Sequence, residues 1–353
     1  MDILGLVERI GEAPSAALFG MITGLIFGIS AQRSHFCLRA ATIEFAHGQL
    51  GKKVAVWFLT FSTAVVWVQG AQMLGLFRAA DARIMAVPGS WSGAIIGGLM
   101  FGVGMILARG CSGRLLVMAS SGNLRSVVAG LIFAVTAQMS LHGILSPYRD
   151  KLAALWVTPG GENVHLLKAL HLPEQTGLLL GLAIAALALY LAIKNQIGPR
   201  IWIFASGVGF AVAVGWVLTW SLAQVAFDPV PVSSATFSGP SANTLMFFLD
   251  RNAVLEFDVG LIPGVVIGAF LASLWSGEFK WQSFDSVPVM RRSMIGAVLM
   301  GFGAMLAGGC AIGAGVTGGS VFAATAWLAL FCMWIGGMAT TYILDQMPLP
   351  ETA

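Results

Sequence analysis

Two cysteines in this chain occupy the same place in a duplicated unit. The run from Ile96 to Cys111 aligns without a gap on the run from Ile295 to Cys310, and both copies end in Gly-Cys, at Gly110-Cys111 and Gly309-Cys310. Close helix packing accounts for glycines as a class in an apolar chain, but packing does not require a cysteine after the same glycine twice. A third cysteine, Cys37, follows the polar cluster Gln32-Arg33-Ser34-His35. The fourth, Cys332, lies in an apolar run, where an inert buried thiol is the plain reading. No CxxC pair and no His-rich spacing is present, so these thiols make neither a zinc site nor a disulfide framework. No metal, cofactor or catalytic residue is expected. A neutral thiol is a weak donor and its sulfur a soft, polarizable partner, so a ladder of thiols can hand along a sulfur-containing anion without holding it. Weak binding at several sites is what passage needs.

Charge around the turns is uneven. Arg109 and Arg114 flank the first Gly-Cys turn and Arg33 and Arg39 flank Cys37, whereas the second turn has no basic neighbour. Such an asymmetry draws anions to one mouth, although arginines that simply obey the positive-inside rule give the same pattern. The candidate pathway residues are therefore Cys37, Cys111, Cys310, Gly110, Gly309 and Arg109. His35 and His47 read as solvated residues of the connection that holds them.

The elements that must position these residues are membrane helices. Of 353 residues, 57% are hydrophobic and 10% charged, against roughly 45–50% and 25% in soluble domains, and mean hydropathy is +0.85. Apolar runs predict about nine spans, near Pro14–Ala31, Val54–Phe77, Trp91–Ala108, Val127–Leu145, Gly177–Ile193, Ile201–Phe227, Val259–Trp275, Met294–Ala307 and Val321–Leu344. The fold class expected is an all-α polytopic membrane protein forming a single transmembrane domain over 1–353. A long polar stretch from Ser146 to Thr176 lies between spans. The N-terminal segment has acidic residues and no basic region ahead of an apolar run, so the first helix is expected to be retained. Net charge is +3, with the basic residues in short loops rather than in a nucleic-acid-binding stripe. Placing Lys52, Lys53, Lys194, Arg200, Lys280, Arg291 and Arg292 inside leaves Asp228, Asp250, Glu256 and Asp258 outside, with a periplasmic N-terminus and a cytoplasmic C-terminus.

After each Gly-Cys turn comes a small-residue segment too short to span, Ser112–Gly122 and Ala311–Gly319. Broken or re-entrant helices of this kind build transporter sites, and their N-termini present free N–H groups that suit an anion. The duplication predicts two pseudo-symmetric, inverted halves, 14–145 and 201–344. A weaker match pairs Gly20-x-Ile22-x-Gly24-x-x-x-Gly28 with Gly260-x-Ile262-x-Gly264-x-x-x-Gly268. On the span count the two Gly-Cys helices run in opposite directions, yet the two earlier glycine helices run parallel, which an inverted repeat does not allow. A re-entrant segment or a mistaken span would reconcile them.

Together, Gln32-x-Ser34-x-Phe36-Cys37, Gly102-x-Gly104-x-x-Leu107-Ala108-x-Gly110-Cys111 and its copy at Gly301 to Cys310 resemble the YeeE/YedE sulfur-transport family, which includes bacterial thiosulfate importers. The resemblance runs from about Phe19 to Gly319. It implies a helical fold pinched in the middle, facing cysteines along the route, residence in the bacterial inner membrane and cooperation with a small cytoplasmic TusA-like sulfur carrier. Cys111 and Cys310 fall on the family's two Gly-Cys turns. The resemblance also implies a third cysteine on the first helix of the second half, but Val259–Trp275 has none and the chain offers Cys37 instead. Thiosulfate or another small sulfur or selenium species is the expected cargo. No GxxxxGK[ST] motif is present, so energy would come from gradients or downstream consumption. The alternatives are a membrane thiol oxidoreductase, which would want a cysteine pair, and a structural or docking subunit.

Overall fold

The computed structural model describes residues 3–251, 253–284 and 286–346. The helices are α1 (Ile3–Ile10), α2 (Glu12–Ser34), α3 (Leu38–Ala46), α4 (Lys52–Met73), α5 (Arg83–Ala86), α6 (Trp91–Leu107), α7 (Ser112–Ser120) and α8 (Leu124–Leu141). They continue as α9 (Ser146–Ala153), α10 (Leu166–Ala169), α11 (Gln175–Lys194), α12 (Pro199–Ala223), α13 (Gly239–Leu249), α14 (Phe257–Trp275), α15 (Val287–Leu306) and α16 (Ala324–Gln346), with a π-helix at Ala311–Gly318. Among the described residues, nine segments are long and apolar enough to cross a membrane, built on α2, α4, α6, α8, α11, α12, α14, α15 and α16. The chain is the all-α polytopic membrane protein its composition predicts.

Local chemistry sets the ends of these helices. Ser90 caps α6 by accepting from the Gly93 N–H at 2.8 Å, and Asn123 caps α8 by accepting from Ser126 N–H at 2.9 Å. Prolines sit in the first turn of α9, α12, α13 and α15, where a missing N–H costs nothing. Inside the spans, several hydroxyls are satisfied on their own helix: Ser34 donates to Ser30 O, Ser140 to Thr136 O and Thr340 to Gly336 O, each at 2.7 Å. The polar stretch after α8 is not structureless. It carries α9 and α10 and covers one face, with Ser90 Oγ donating to Ala153 O at 2.7 Å and Leu166 N–H to Phe322 O at 2.8 Å.

Glycine contacts give the directions of the long helices. A Cβ at Gly97 would meet Ala307, and one at Gly104 would meet Gly296 and Met300, so α6 and α15 are antiparallel. Gly24 faces Leu261 and Val265 while Gly28 faces Val265 and Ala269, so α2 and α14 are parallel. Both directions match the span count. The weaker glycine match is therefore a two-sided packing seam, with Gly20, Gly24 and Gly28 laid against Gly260, Gly264 and Gly268. In chain order the counterpart of α14 is α4, not α2: long and short helices succeed one another as α2, α3, α4, α6, α7, α8 and again as α12, α13, α14, α15, π-helix, α16. Successive spans alternate in direction, so each long helix of the second series runs opposite to its counterpart. Among the described residues the nine long apolar segments equal the predicted number of spans.

A side chain in the α2–α14 seam has nowhere to go, because the neighbour is backbone. Gly264→Val, whose Cβ would meet the Met21 carbonyl at 2.5 Å and its Cα at 3.0 Å, is expected to destabilise the detergent-solubilised protein by at least about 1–3 kcal/mol. Gly130→Ala, with nothing within 4 Å, is expected to leave it unchanged or raise it by about 0.5–1 kcal/mol. Thermal unfolding followed by size-exclusion fluorescence compares the two, and equal melting points would contradict the seam.

Candidate functional site

Each of the three candidate cysteines is the residue that starts a short helix. Cys37 precedes α3, Cys111 precedes α7 and Cys310 precedes the π-helix, all three with extended backbone. The chain reaches them by the same turn. Two residues earlier, the backbone is left-handed in every case: His35 at φ 52°, Arg109 at φ 59° and Gly308 at φ 78°. That conformation ends the preceding long helix and re-aims the chain, so the next residue but one stands at a fresh helix N-terminus.

A fourth short helix completes the arrangement. Ser238 precedes α13, in the place that Cys37 holds before α3. The four N-termini meet: Cys37 and Cys111 lie within hydrogen-bonding reach of each other, and Thr236 Oγ1 stands 4.0 Å from Cys310 Sγ. Gly113, in the first turn of α7, is close to both Phe237 and Ile312. Cys310 Sγ also accepts from the Gly313 N–H at 3.4 Å. Cys111 and Cys310 are buried, Cys37 is half-buried, and all are free thiols. Cys332 stays on α16, where its Cβ packs against Gly98.

The chemistry around the thiols is cationic and incompletely satisfied. Arg114 borders the small space enclosed by Phe27, Ala31, Phe36, Cys111 and Ile312, which is too tight for a water molecule. Its Nη1 and the Ser112 hydroxyl are buried without a hydrogen-bond partner. Four helix starts, a guanidinium with a buried, unpartnered Nη1 and polarizable sulfur form a surface suited to a soft anion. Phe27 and Phe237, ring centroids 4.8 Å apart, close the space between the Cys111 and Cys310 turns.

One face opens toward this constriction. A cavity of about 470 Å³ is lined by Arg83, Arg149, Ser238, Asn243, Asp258 and Gly308, reaching the start of α13 and the turn before Cys310. Asn243 Nδ2 donates to Asp258 Oδ2 at 2.9 Å. On the opposite, basic face, Glu278 accepts from Gln32 Nε2 at 2.7 Å and lies 3.6 Å from His35 Nε2, which holds the α14–α15 loop over the Cys37 turn. His35 thus combines a partly exposed side chain, as expected of a connection residue, with a contact to Glu278.

Of the sequence-derived residues, the structure brings Cys37 and Cys111 together and sets Cys310 across the aromatic pair from them. Gly110 and Gly309 precede their cysteines in buried backbone. Arg109 is exposed and lines a different, small pocket with Arg39 and Arg292. Thr236, Phe237 and Ser238 are not legible as site residues in the sequence, because α13 is short and lies in a loop-like acidic stretch, and Arg83 and Asp258 read there only as charges of the outer side. Ser238-Gly239-Pro240 ahead of an apolar run was the available signal for α13. Arg114 reads in the sequence as a flanking charge; its position in the first turn after Cys111 is the clue that it faces the thiols.

The two turn glycines are not equivalent. A Cβ at Gly309 would meet Ala314 N at 2.6 Å and Gly313 C at 3.0 Å, both backbone, whereas one at Gly110 would meet only side chains, Leu115 at 3.2 Å and Met118 at 3.5 Å. Gly309→Ala is expected to lower thermal stability by about 1–3 kcal/mol and Gly110→Ala by less. A reversed order in a melting experiment would contradict this geometry.

Comparison with known proteins fits these observations. The thiosulfate transporter TsuA of Escherichia coli is 26% identical over 357 aligned positions, covering 95% of this chain and 96% of that protein. The thiosulfate transporter TsuA of Spirochaeta thermophila is 28% identical, covering 92% and 98% respectively. The probable transporter YedE of Escherichia coli is 30% identical over a shorter stretch, 29% of this chain and 26% of that one. The profile of the family described as sulphur transport matches residues 33–339, which takes in all three short-helix turns that begin with cysteine, and the chain belongs to that family.

Proposed function

We propose that this protein imports thiosulfate or a closely related small sulfur-containing anion, passed along the free thiols of Cys37, Cys111 and Cys310. The observation that carries this reading is the meeting of four helix N-termini, three of which begin with a thiol, between a polar vestibule on one face and a basic surface on the other. An anion entering beside Arg83 meets the Ser238 and Cys310 turns first, then Cys111 with Arg114, then Cys37. Neutral thiols and N–H groups hold it weakly at each stage, as net flux requires. The Phe27–Phe237 contact must part as it passes.

Several further assignments belong to the same proposal. The basic face is the cytoplasmic one, which puts the N-terminus in the periplasm and the chain in the bacterial inner membrane. The series α2–α8 and α12–α16 are inverted halves, 14–145 and 201–344, of one transmembrane domain. Thr236 occupies in the second half the place next to Cys310 that Cys37 occupies next to Cys111. A TusA-like carrier would collect the sulfur at the basic face, where Trp275 is exposed beside Arg33, just ahead of the Cys37 turn. The second reading, a membrane thiol oxidoreductase, draws on the contact between Cys37 and Cys111, the pair that such chemistry needs.

Growth on thiosulfate as sole sulfur source, in a bacterium lacking its own uptake, tests the proposal. Wild type is expected to rescue growth, and Cys111→Ala or Cys310→Ala at matched membrane levels to abolish it, with Cys37→Ala decided by its own result. Rescue by all three variants would sink the thiol pathway. Mild oxidation is expected to join Cys37 to Cys111 and stop uptake until reductant is added. If uptake stays constant while the disulfide forms, the pair is not on the route.

A further inference from the structure

A second cationic site lies beside the thiols but apart from the constriction. Arg39 on α3, Arg109 in the turn after α6 and Arg292 on α15 share a cavity of about 170 Å³, walled by Ile106, Leu107 and Leu344. Among the described residues no carboxylate lines it. Arg39 Nε is buried without a hydrogen-bond partner, and its guanidinium shares the cavity with Arg292. Guanidinium groups brought together against apolar walls are stabilised by an anion that takes several N–H groups at once, and planar forks match tetrahedral oxyanions in pairs. The cavity is the size for one such group. Basic pockets between membrane helices also take phospholipid headgroups.

We propose that Arg39 and Arg292, with Arg109 at the rim, form a binding site for one tetrahedral oxyanion: a free sulfate-like ion, or the phosphate of an anionic lipid at the basic face. The site touches both thiol turns of that face, since Arg39 follows Cys37 by two residues and Arg109 precedes Cys111 by two. Occupancy therefore fixes the α3 and α6 ends relative to α15. The site does not depend on the transport reading, because sulfate has no soft sulfur to offer a thiol.

The test uses full-length protein, stripped of lipid in a neutral detergent, with two probes: sulfate, and short-chain phosphatidylglycerol. Binding is read as a shift in melting temperature against chloride at matched ionic strength, and lipid retention by native mass spectrometry. Saturable binding is expected, weakened about tenfold or more by Arg39→Gln or Arg292→Gln, restored in part by Arg292→Lys and unchanged in Gly130→Ala. Arg292→Gln keeps the test open where Arg39→Gln misfolds. A sulfate response marks a free ion as occupant, and a response to lipid alone marks a headgroup. Binding of neither probe, or wild-type binding in Arg292→Gln, overturns the proposal.

Discussion

Backbone that leaves helical geometry inside a hydrocarbon layer must find its hydrogen-bond partners within the protein. The structure depends on that constraint. Four short helices begin within the bundle, and their first N–H groups have no carbonyl of their own to bind. Packing the four starts against one another, behind the long helices, removes them from lipid. It also gathers their unsatisfied N–H groups into one place, where they present partial positive charge. The feature that makes the fold costly is thus the one that makes it receptive to an anion.

Glycine makes the gathering possible. The seam between α2 and α14 brings backbone against backbone over three successive turns, and the α6–α15 contact does the same in the antiparallel sense. Without that close approach the long helices would splay, and the short ones would meet lipid or water instead of one another. Most glycines here serve packing, as their abundance alone suggests. Gly308 and Gly309 do more, since one supplies the left-handed turn and the other has backbone where a Cβ would be.

The turns that carry the thiols are conformationally alike but chemically graded. Arg109 and His35 hold the left-handed position with large side chains on the basic face, whereas the turn before Cys310 uses glycine. Cationic groups accordingly crowd the Cys37–Cys111 side, and the Cys310 side has a hydroxyl, Thr236, for company. In the proposed passage this grading would draw an anion toward one end without holding it tightly. The contact between Cys37 and Cys111 places a redox-sensitive pair at the same end.

The fold class was legible in composition, and the spans in their hydropathy, because a bilayer demands long apolar runs whatever their tertiary context. The Gly-Cys turns were legible because they recur. Span boundaries shifted by a few residues: α2 runs on to Ser34 rather than ending at Ala31, and α4 stops at Met73. The sequence also set the cysteines apart from one another by type and spacing, singling out Cys37, Cys111 and Cys310 from Cys332. It could not distinguish the parallel α2–α14 seam from a repeat, since both leave glycines at spacings of four. Nor could it reveal that Arg114 rather than Arg109 faces the thiols, or that Thr236 stands by Cys310. Those depend on which sides of short helices turn toward one another across 74 to 200 residues of chain, and only the packed bundle decides that.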